Sequence, residues 1–204
     1  MTSAEWTTLL ILATATSFTP GPNTTLSTTL AANRGLRGAM SFVLAVPVGW
    51  GLLLSVCSLG VGSLVLAWPA LRIVIATAGI AYLLWLARRL WGSRTLSETR
   101  TSPLEVSFLQ GVLLQFLNIK AWMLALSVMS GWIIGKDDVW ARYLQILPVM
   151  LGYALASNFS YALMGALLRQ WLSQGRRLML FNRLMASALA ATAAWMAMGL
   201  HAST

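Results

Sequence analysis

The sequence predicts an all-α integral membrane protein with six transmembrane helices, and three observations carry that reading. First, 58% of the 204 residues are hydrophobic and only 9% are charged, with a mean hydropathy of +0.74; soluble domains carry roughly 25% charged residues. Second, the apolar residues fall in long continuous runs, each near the roughly 20 residues that a spanning helix needs. Barrel strands would instead alternate over about ten residues. Third, Lys and Arg alternate in density from one gap between runs to the next, as the loops of a multi-pass protein do.

The first run covers about residues 6–32 and is interrupted at Pro20-Gly21-Pro22. Its start lacks the basic segment of a signal peptide, the one early charge being Glu5, so it reads as the first span. The second run covers about 38–66 and the third about 71–91. A polar linker, 92–103, is rich in Ser, Thr and Arg. The fourth, fifth and sixth runs cover about 106–134, 143–168 and 184–200. Six spans with short gaps use nearly the whole chain, so 1–204 is a single membrane domain with halves at about 1–92 and 104–204.

The gap after the first span holds Arg34 and Arg37, and the gap after the third holds Arg88, Arg89, Arg94 and Arg100. The gap after the fifth holds Arg169, Arg176, Arg177 and Arg183. The even gaps hold only Arg72, Lys136 and Arg142, the last two beside Asp137 and Asp138. Ten basic residues against three place the odd gaps in the cytoplasm and both termini outside. Trp68, Trp91, Trp140 and Trp171 stand near span ends, where interfacial anchors belong.

The net charge of +9 raises nucleic acid as a partner, but the basic residues sit in short gaps between apolar runs rather than in a solvated patch, which argues against it. The partner surface is the lipid bilayer. The one cysteine, Cys57, lies in an apolar run and reads as packing; a Cys/His metal site cannot be assembled. No cofactor is expected. An intramembrane enzyme is disfavoured: the one histidine, His201, lies outside the last span, and no span holds an aspartate.

Two interruptions stand about half a chain apart. In Thr19-Pro20-Gly21-Pro22-Asn23, two prolines flank a glycine in mid-span. A single interior proline costs a helix about 3 kcal/mol or more, so the pair should unwind it. Open backbone at membrane depth is tolerated only against protein or a watery cavity. A structural kink is the plainer alternative, but the hydroxyl-rich turn that follows (Thr24, Thr25, Ser27, Thr28, Thr29) favours a site. The second interruption is Asn118-Ile119-Lys120-Ala121, with Lys120 far from either end of its span. A central lysine is unfavourable by roughly 2.5–3.5 kcal/mol and ordinarily faces a cavity. No span holds an Asp or Glu to pair with it. The ammonium therefore meets carbonyls and water, loses its charge, or takes its counter-ion from a solute.

Each interruption opens a set of three spans. Three is odd, so the second set runs opposite to the first, which is the 3+3 inverted-repeat plan of many secondary transporters. Helix N-termini meeting there suit a carboxylate. The expected substrate-binding residues are Pro20, Gly21, Pro22, Asn23, Thr24, Asn118 and Lys120, with Thr25 along the path. Ser157, Asn158, Ser160 and Tyr161 in the fifth span either join the cavity or bridge helices. Trp50, Trp85, Trp122 and Trp195 read as lipid-facing or packed.

These motifs resemble those of the lysine exporter and homoserine/threonine exporter family of bacterial inner-membrane proteins (the LysE/RhtB type). Thr19-Pro20-Gly21-Pro22-Asn23 matches its first-span motif in full, and Asn118-Ile119-Lys120-Ala121 matches its Asn-Pro-Lys-Ala motif apart from the proline. Gly35, Arg37 and Gly38 resemble its first cytoplasmic turn, and Gly79-Ile80-Ala81-Tyr82-Leu83 its Gly-Ala-x-Tyr-Leu stretch. Phe108 and Gly111 match its Phe-x-x-Gly at the start of span four. The chain departs at Ile119, at Val46-Pro47-Val48-Gly49-Trp50-Gly51, where the family often has a polar or acidic residue, and at Ala186-Ser187-Ala188, where it often has glycine. The resemblance implies proton- or potential-driven export of amino acids or similar small metabolites, and a homodimer. The absence of membrane acids favours a neutral amino acid. An uncoupled channel or uniporter and a non-transporting structural subunit are the alternatives.

Overall fold

The computed structural model describes residues 1–93, 105–174 and 176–201. Beyond Ser93, the linker expected at 92–103, with Arg94 and Arg100, lies outside the described residues, as does the side chain of His201. Among the described residues all regular structure is helical: α1 (Ser3–Phe18), α2 (Pro22–Ser58), α3 (Val61–Ala67), α4 (Pro69–Trp91), α5 (Phe108–Leu117), α6 (Ile119–Val128) with a π-helical turn Met129–Ile133, α7 (Val139–Leu172) and α8 (Arg177–His201). The helices α2, α4, α7 and α8 are long and apolar enough to cross a membrane, and the bent pair running from Phe108 to Ile133 makes a fifth candidate.

The chain begins α1 with a capping box, Thr2 accepting from Glu5 N and Glu5 accepting from Thr2 N at 2.7 Å. A straight helix of 37 residues would be about 55 Å long, nearly twice the hydrocarbon thickness of a bilayer. The helix α2 does not stay straight. Gly35 takes φ 75°, ψ 169°, a conformation that glycine adopts without a Cβ penalty, and splits α2 into 22–34 and 36–58. The second apolar run was expected as one span through 66. It ends at Ser58 instead, because Gly60 (φ 94°) turns the chain into the short α3. The last helix starts at Arg177 rather than near 184, so Arg183 lies within α8.

The described helices pack chiefly as α2 against α7, α4 against α8, and α5 across α2. In a bilayer, where lipid is as apolar as the helix faces, close backbone approach must supply the cohesion, and small residues permit it. A Cβ on Gly49 would stand 2.6 Å from the Val112 carbonyl, and one on Gly111 2.7 Å from Ala45 Cβ. Gly79 lies directly against the Leu117 carbonyl, and Gly165 against that of Thr28. Two apolar clusters result. One gathers Leu26, Leu30, Phe42, Leu86, Leu114 and Leu189; the other gathers Leu9, Leu53, Leu54, Trp122, Val128 and Ile146. Thus α1 and α6 contribute to one cluster, while 22–34 and α5 contribute to the other. The joint between the clusters falls at the two interruptions.

Polar ties mark opposite ends of these helices. At the start of α1, Glu5 pairs with Arg142 (2.9 Å) and Lys136 (3.7 Å), its carbonyl accepts from Trp132 Nε1, and Arg142 also reaches Asp138 at 2.6 Å. That contact holds the Asp138 carboxyl below its ordinary range. At the end of 22–34, Asn33 and Asn182 exchange hydrogen bonds (2.8 and 3.0 Å), Asn182 also donates to the Ser93 carbonyl, and Arg34 lies 3.5 Å from Glu105. Trp68, Trp91, Trp140 and Trp171 are exposed at helix ends, as anchors should be.

Candidate functional site

The first interruption is built as its prolines dictate. The helix α1 stops at Phe18, Thr19 is extended, and α2 restarts with Pro22 at its first position, where a missing N–H costs the helix nothing. Thr24 closes the restart, its hydroxyl accepting from Gly21 N at 2.9 Å. The carbonyls freed at the end of α1 find side-chain donors from distant parts of the chain. Tyr161 Oη donates to the Phe18 carbonyl at 2.9 Å, and Lys120 Nζ to the Thr19 carbonyl at 3.0 Å.

The second interruption forms although Ile119 stands where a proline was expected to help. The pair α5 and α6 meets at 69°. Asn118 is extended (φ −95°, ψ 102°), and its side chain accepts from Lys120 N at 3.1 Å, capping α6. Trp122 Nε1 donates to the Phe116 carbonyl at 2.8 Å. One side-chain acceptor and one side-chain donor therefore meet backbone groups that the break exposes.

The restart of α2 is tied to the end of α5. Asn23 Nδ2 donates to Gln115 Oε1 at 2.8 Å, and Gln115 Nε2 returns to Asn23 Oδ1 at 3.2 Å. A cavity open to one side is lined by residues of both breaks. Of the residues expected at the site, it is lined by Gly21, Pro22, Asn23, Thr24, Asn118 and Lys120. Pro20 lines instead a second, more apolar cavity, which Lys120 shares and which is walled by Met123, Trp195 and Met196. Thr25 does not line the first cavity.

Several contributors were not legible beforehand. Gln115 is fully buried; an amide inside the apolar run of α5 was its only signal. Thr16 and Ser17 join the wall from the last turn of α1. Of the polar residues of the fifth span, Ser157 lines the cavity, Asn158 lines it and also accepts from Ser27 at 2.9 Å, and Ser160 donates to the Ala156 carbonyl of its own helix. Tyr161 bridges helices. Trp50, read as packed or lipid-facing, is packed at 5% exposed and is also among the residues that line the cavity.

Chemically, the cavity is lined by polar side chains from α1, α2, the second break and α7, among them Ser17, Asn23, Lys120 and Asn158. Two helix N-termini bring partial positive charge, and a half-buried ammonium stands between them. No group of three or more His, Cys, Asp or Glu side chains able to hold a metal occurs among the described residues.

Comparison with known proteins agrees with this architecture. The family described as LysE type translocator matches residues 14–200. The chain is 30% identical over 180 residues to a cysteine/O-acetylserine efflux protein of Escherichia coli O1:K1 / APEC, covering 86% of this chain and 88% of that one. Proteins of the same description from Escherichia coli strain K12 and Shigella flexneri serotype 5b (strain 8401) are 30% identical over 179 residues, with the same coverage. No solved structure matches. With the family matched across nearly its whole length and its two motif regions meeting at one cavity, the chain belongs to the LysE type translocator family, as a multi-pass inner-membrane transporter and not an enzyme.

Proposed function

We propose that this translocator exports small neutral amino acids and related carboxylate-bearing metabolites from the cytoplasm, driven by the proton gradient or the membrane potential. One observation carries the proposal: Lys120 stands in a cavity where two helix restarts meet, with no carboxylate from the described spans beside it. An ionisable residue at membrane depth is costly and marks a functional site; Lys120 meets the Thr19 carbonyl, and a substrate carboxylate would add the counter-charge that the described spans do not supply. The cysteine/O-acetylserine efflux relatives agree with a substrate of this size and charge.

The proposal includes six crossings in a 3+3 inverted repeat, halves at about 1–92 and 104–204, with both termini outside. Three features support it. The split of α2 at Gly35 makes α1 with 22–34 a broken span comparable to α5 with α6. Equivalent elements pair, α4 with α8 and break with break. The side chains tied together at each end are those that the alternating orientation assigns to one face: Glu5, Lys136 and Arg142 outside, Arg34 and Glu105 inside. The homodimer implied by the resemblance is part of the proposal, and crosslinking in native membranes checks it.

The test is uptake of a labelled amino-acid panel into inside-out vesicles with an acid-inside pH gradient. Accumulation of neutral amino acids that collapses with a protonophore is expected. Equilibration without accumulation would favour an uncoupled uniporter, a reading that the lack of a span carboxylate to carry protons also favours. No uptake of any amino acid would overturn the proposal.

A further inference from the structure

Lys120 stands between two cavities of different character. Thr16, Thr19, Gly21, Asn118 and Lys120 line both. The first has a volume of about 70 Å³, room for roughly five water-sized groups. Asn23, Ser157 and Asn158 line it and not the second. The second has a volume of about 570 Å³ and is walled by Leu12, Met123, Ala191, Trp195 and Met196. Met123 and Trp195 are exposed, so this cavity is a groove that opens on the protein surface between α1, α6 and α8.

An amino acid carries an ammonium, a carboxylate and a side chain on one carbon, and the two cavities sort them. With the carboxylate at Lys120, the ammonium needs acceptors around it. The first cavity supplies them. Ser157 spends its hydroxyl proton on the Ala154 carbonyl and keeps its lone pairs, and Asn158 Oδ1 has a lone pair beyond the one that Ser27 occupies. The ammonium, Cα and carboxylate fill a space of that size, which leaves no room for a side chain of several carbons. In the second cavity the hydroxyls of Ser127 and Thr192 donate to the Met123 and Ala188 carbonyls of their own helices. The remaining wall is mainly carbon and sulfur, which attracts an apolar group in proportion to the area taken from water.

We propose that this groove receives the substrate side chain, with Met123, Thr192, Trp195 and Met196 as specificity-determining residues, so that neutral amino acids with an apolar side chain of leucine or methionine size are preferred over alanine and serine. The inference rests on the carboxylate-at-Lys120 reading and narrows the substrate class within it. Lipid is the competing occupant. A lipid chain would fill the groove whatever the substrate, and substitutions there would leave selectivity unchanged.

The test measures uptake of labelled leucine, methionine, phenylalanine, alanine and serine into inside-out vesicles by wild type, Ala191→Phe and Trp195→Ala at matched expression. Wild type should favour leucine over alanine by roughly tenfold. Ala191→Phe, which places a ring in the groove, should lower the leucine-to-alanine ratio by about fivefold or more. Trp195→Ala, which removes a wall, should shift preference from leucine towards phenylalanine. Both positions are exposed, so neither change disturbs the packed interior. A wild type that transports alanine and serine as well as leucine, or better, overturns the inference and leaves the export reading standing. Ratios unchanged in both variants overturn it as well and assign the groove to lipid. Uptake of no amino acid by the wild type overturns the export reading and this inference with it.

Discussion

The two helix breaks reach one geometry by different means. At Thr19–Gly21 the sequence forbids a helix: two prolines remove donors and clash with the preceding turn, and the restart needs little more than the Thr24 hydroxyl on Gly21 N. At Asn118 nothing forbids a helix. Leu117, Asn118, Ile119 and Lys120 could all be helical, and the break exists because side chains reward it. Asn118 caps Lys120 N, Trp122 meets the Phe116 carbonyl, and Gln115 is held by Asn23 from the other break. One break is therefore local and the other depends on tertiary contacts. Both leave a phenylalanine carbonyl that an aromatic side chain satisfies, Tyr161 for Phe18 and Trp122 for Phe116.

The largest effects should come from the glycines that let other helices press against these segments. Gly79→Leu would drive a side chain into the Leu117 carbonyl beside the second break, and Gly165→Leu into Thr28 behind the first. Overpacking costs about 1–3 kcal/mol and more where backbone must move, so both variants should show sharply reduced yield and thermal stability in detergent. Next, Pro20→Ala combined with Pro22→Ala should permit α1 to run into α2 and close the cavity. Transport should vanish while folded protein remains, and a cysteine placed at Thr24 should lose reactivity toward a water-soluble reagent.

Smaller effects separate the breaks. Asn118→Ala removes a cap worth about 1 kcal/mol. Because the second break has no proline to fall back on, transport should drop several-fold, with a lowered melting temperature. Ile119→Pro should be nearly silent. Ile119 is the first residue of α6, where the helix does not use its N–H, and Asn118 already holds the extended conformation that a following proline requires. A gain of about 0.5–1 kcal/mol in stability is expected, and Asn118→Ala should be partly rescued by it. A strong loss of stability in Ile119→Pro would contradict the local description of this break.

Much of this was legible in sequence because it rests on local signals. Pro-Gly-Pro marks a break, and a lysine at mid-span marks a cavity. What was not legible depends on partners distant in sequence. Gln115 gains its meaning from Asn23, 92 positions away, and its own neighbourhood reads as an ordinary apolar helix. Trp50 looks like any membrane tryptophan until α5 and α7 are placed beside it. The end of the second span at Ser58 was missed because Gly60 and Gly62 sit inside an unbroken apolar run, where glycine at a turn and glycine at a helix contact look alike.

The central claim is that Lys120, with the two helix restarts, holds a substrate carboxylate. The most direct measurement is transport of a neutral amino acid and of its carboxamide, which removes the negative charge at nearly constant shape, by wild type and by Lys120→Met at matched expression. The account predicts that wild type prefers the acid by roughly 10- to 100-fold, the worth of a charge-assisted hydrogen bond, and that Lys120→Met transports the acid poorly and has little preference left. A variant that transports the acid as well as wild type does, or that keeps the full preference, would contradict it.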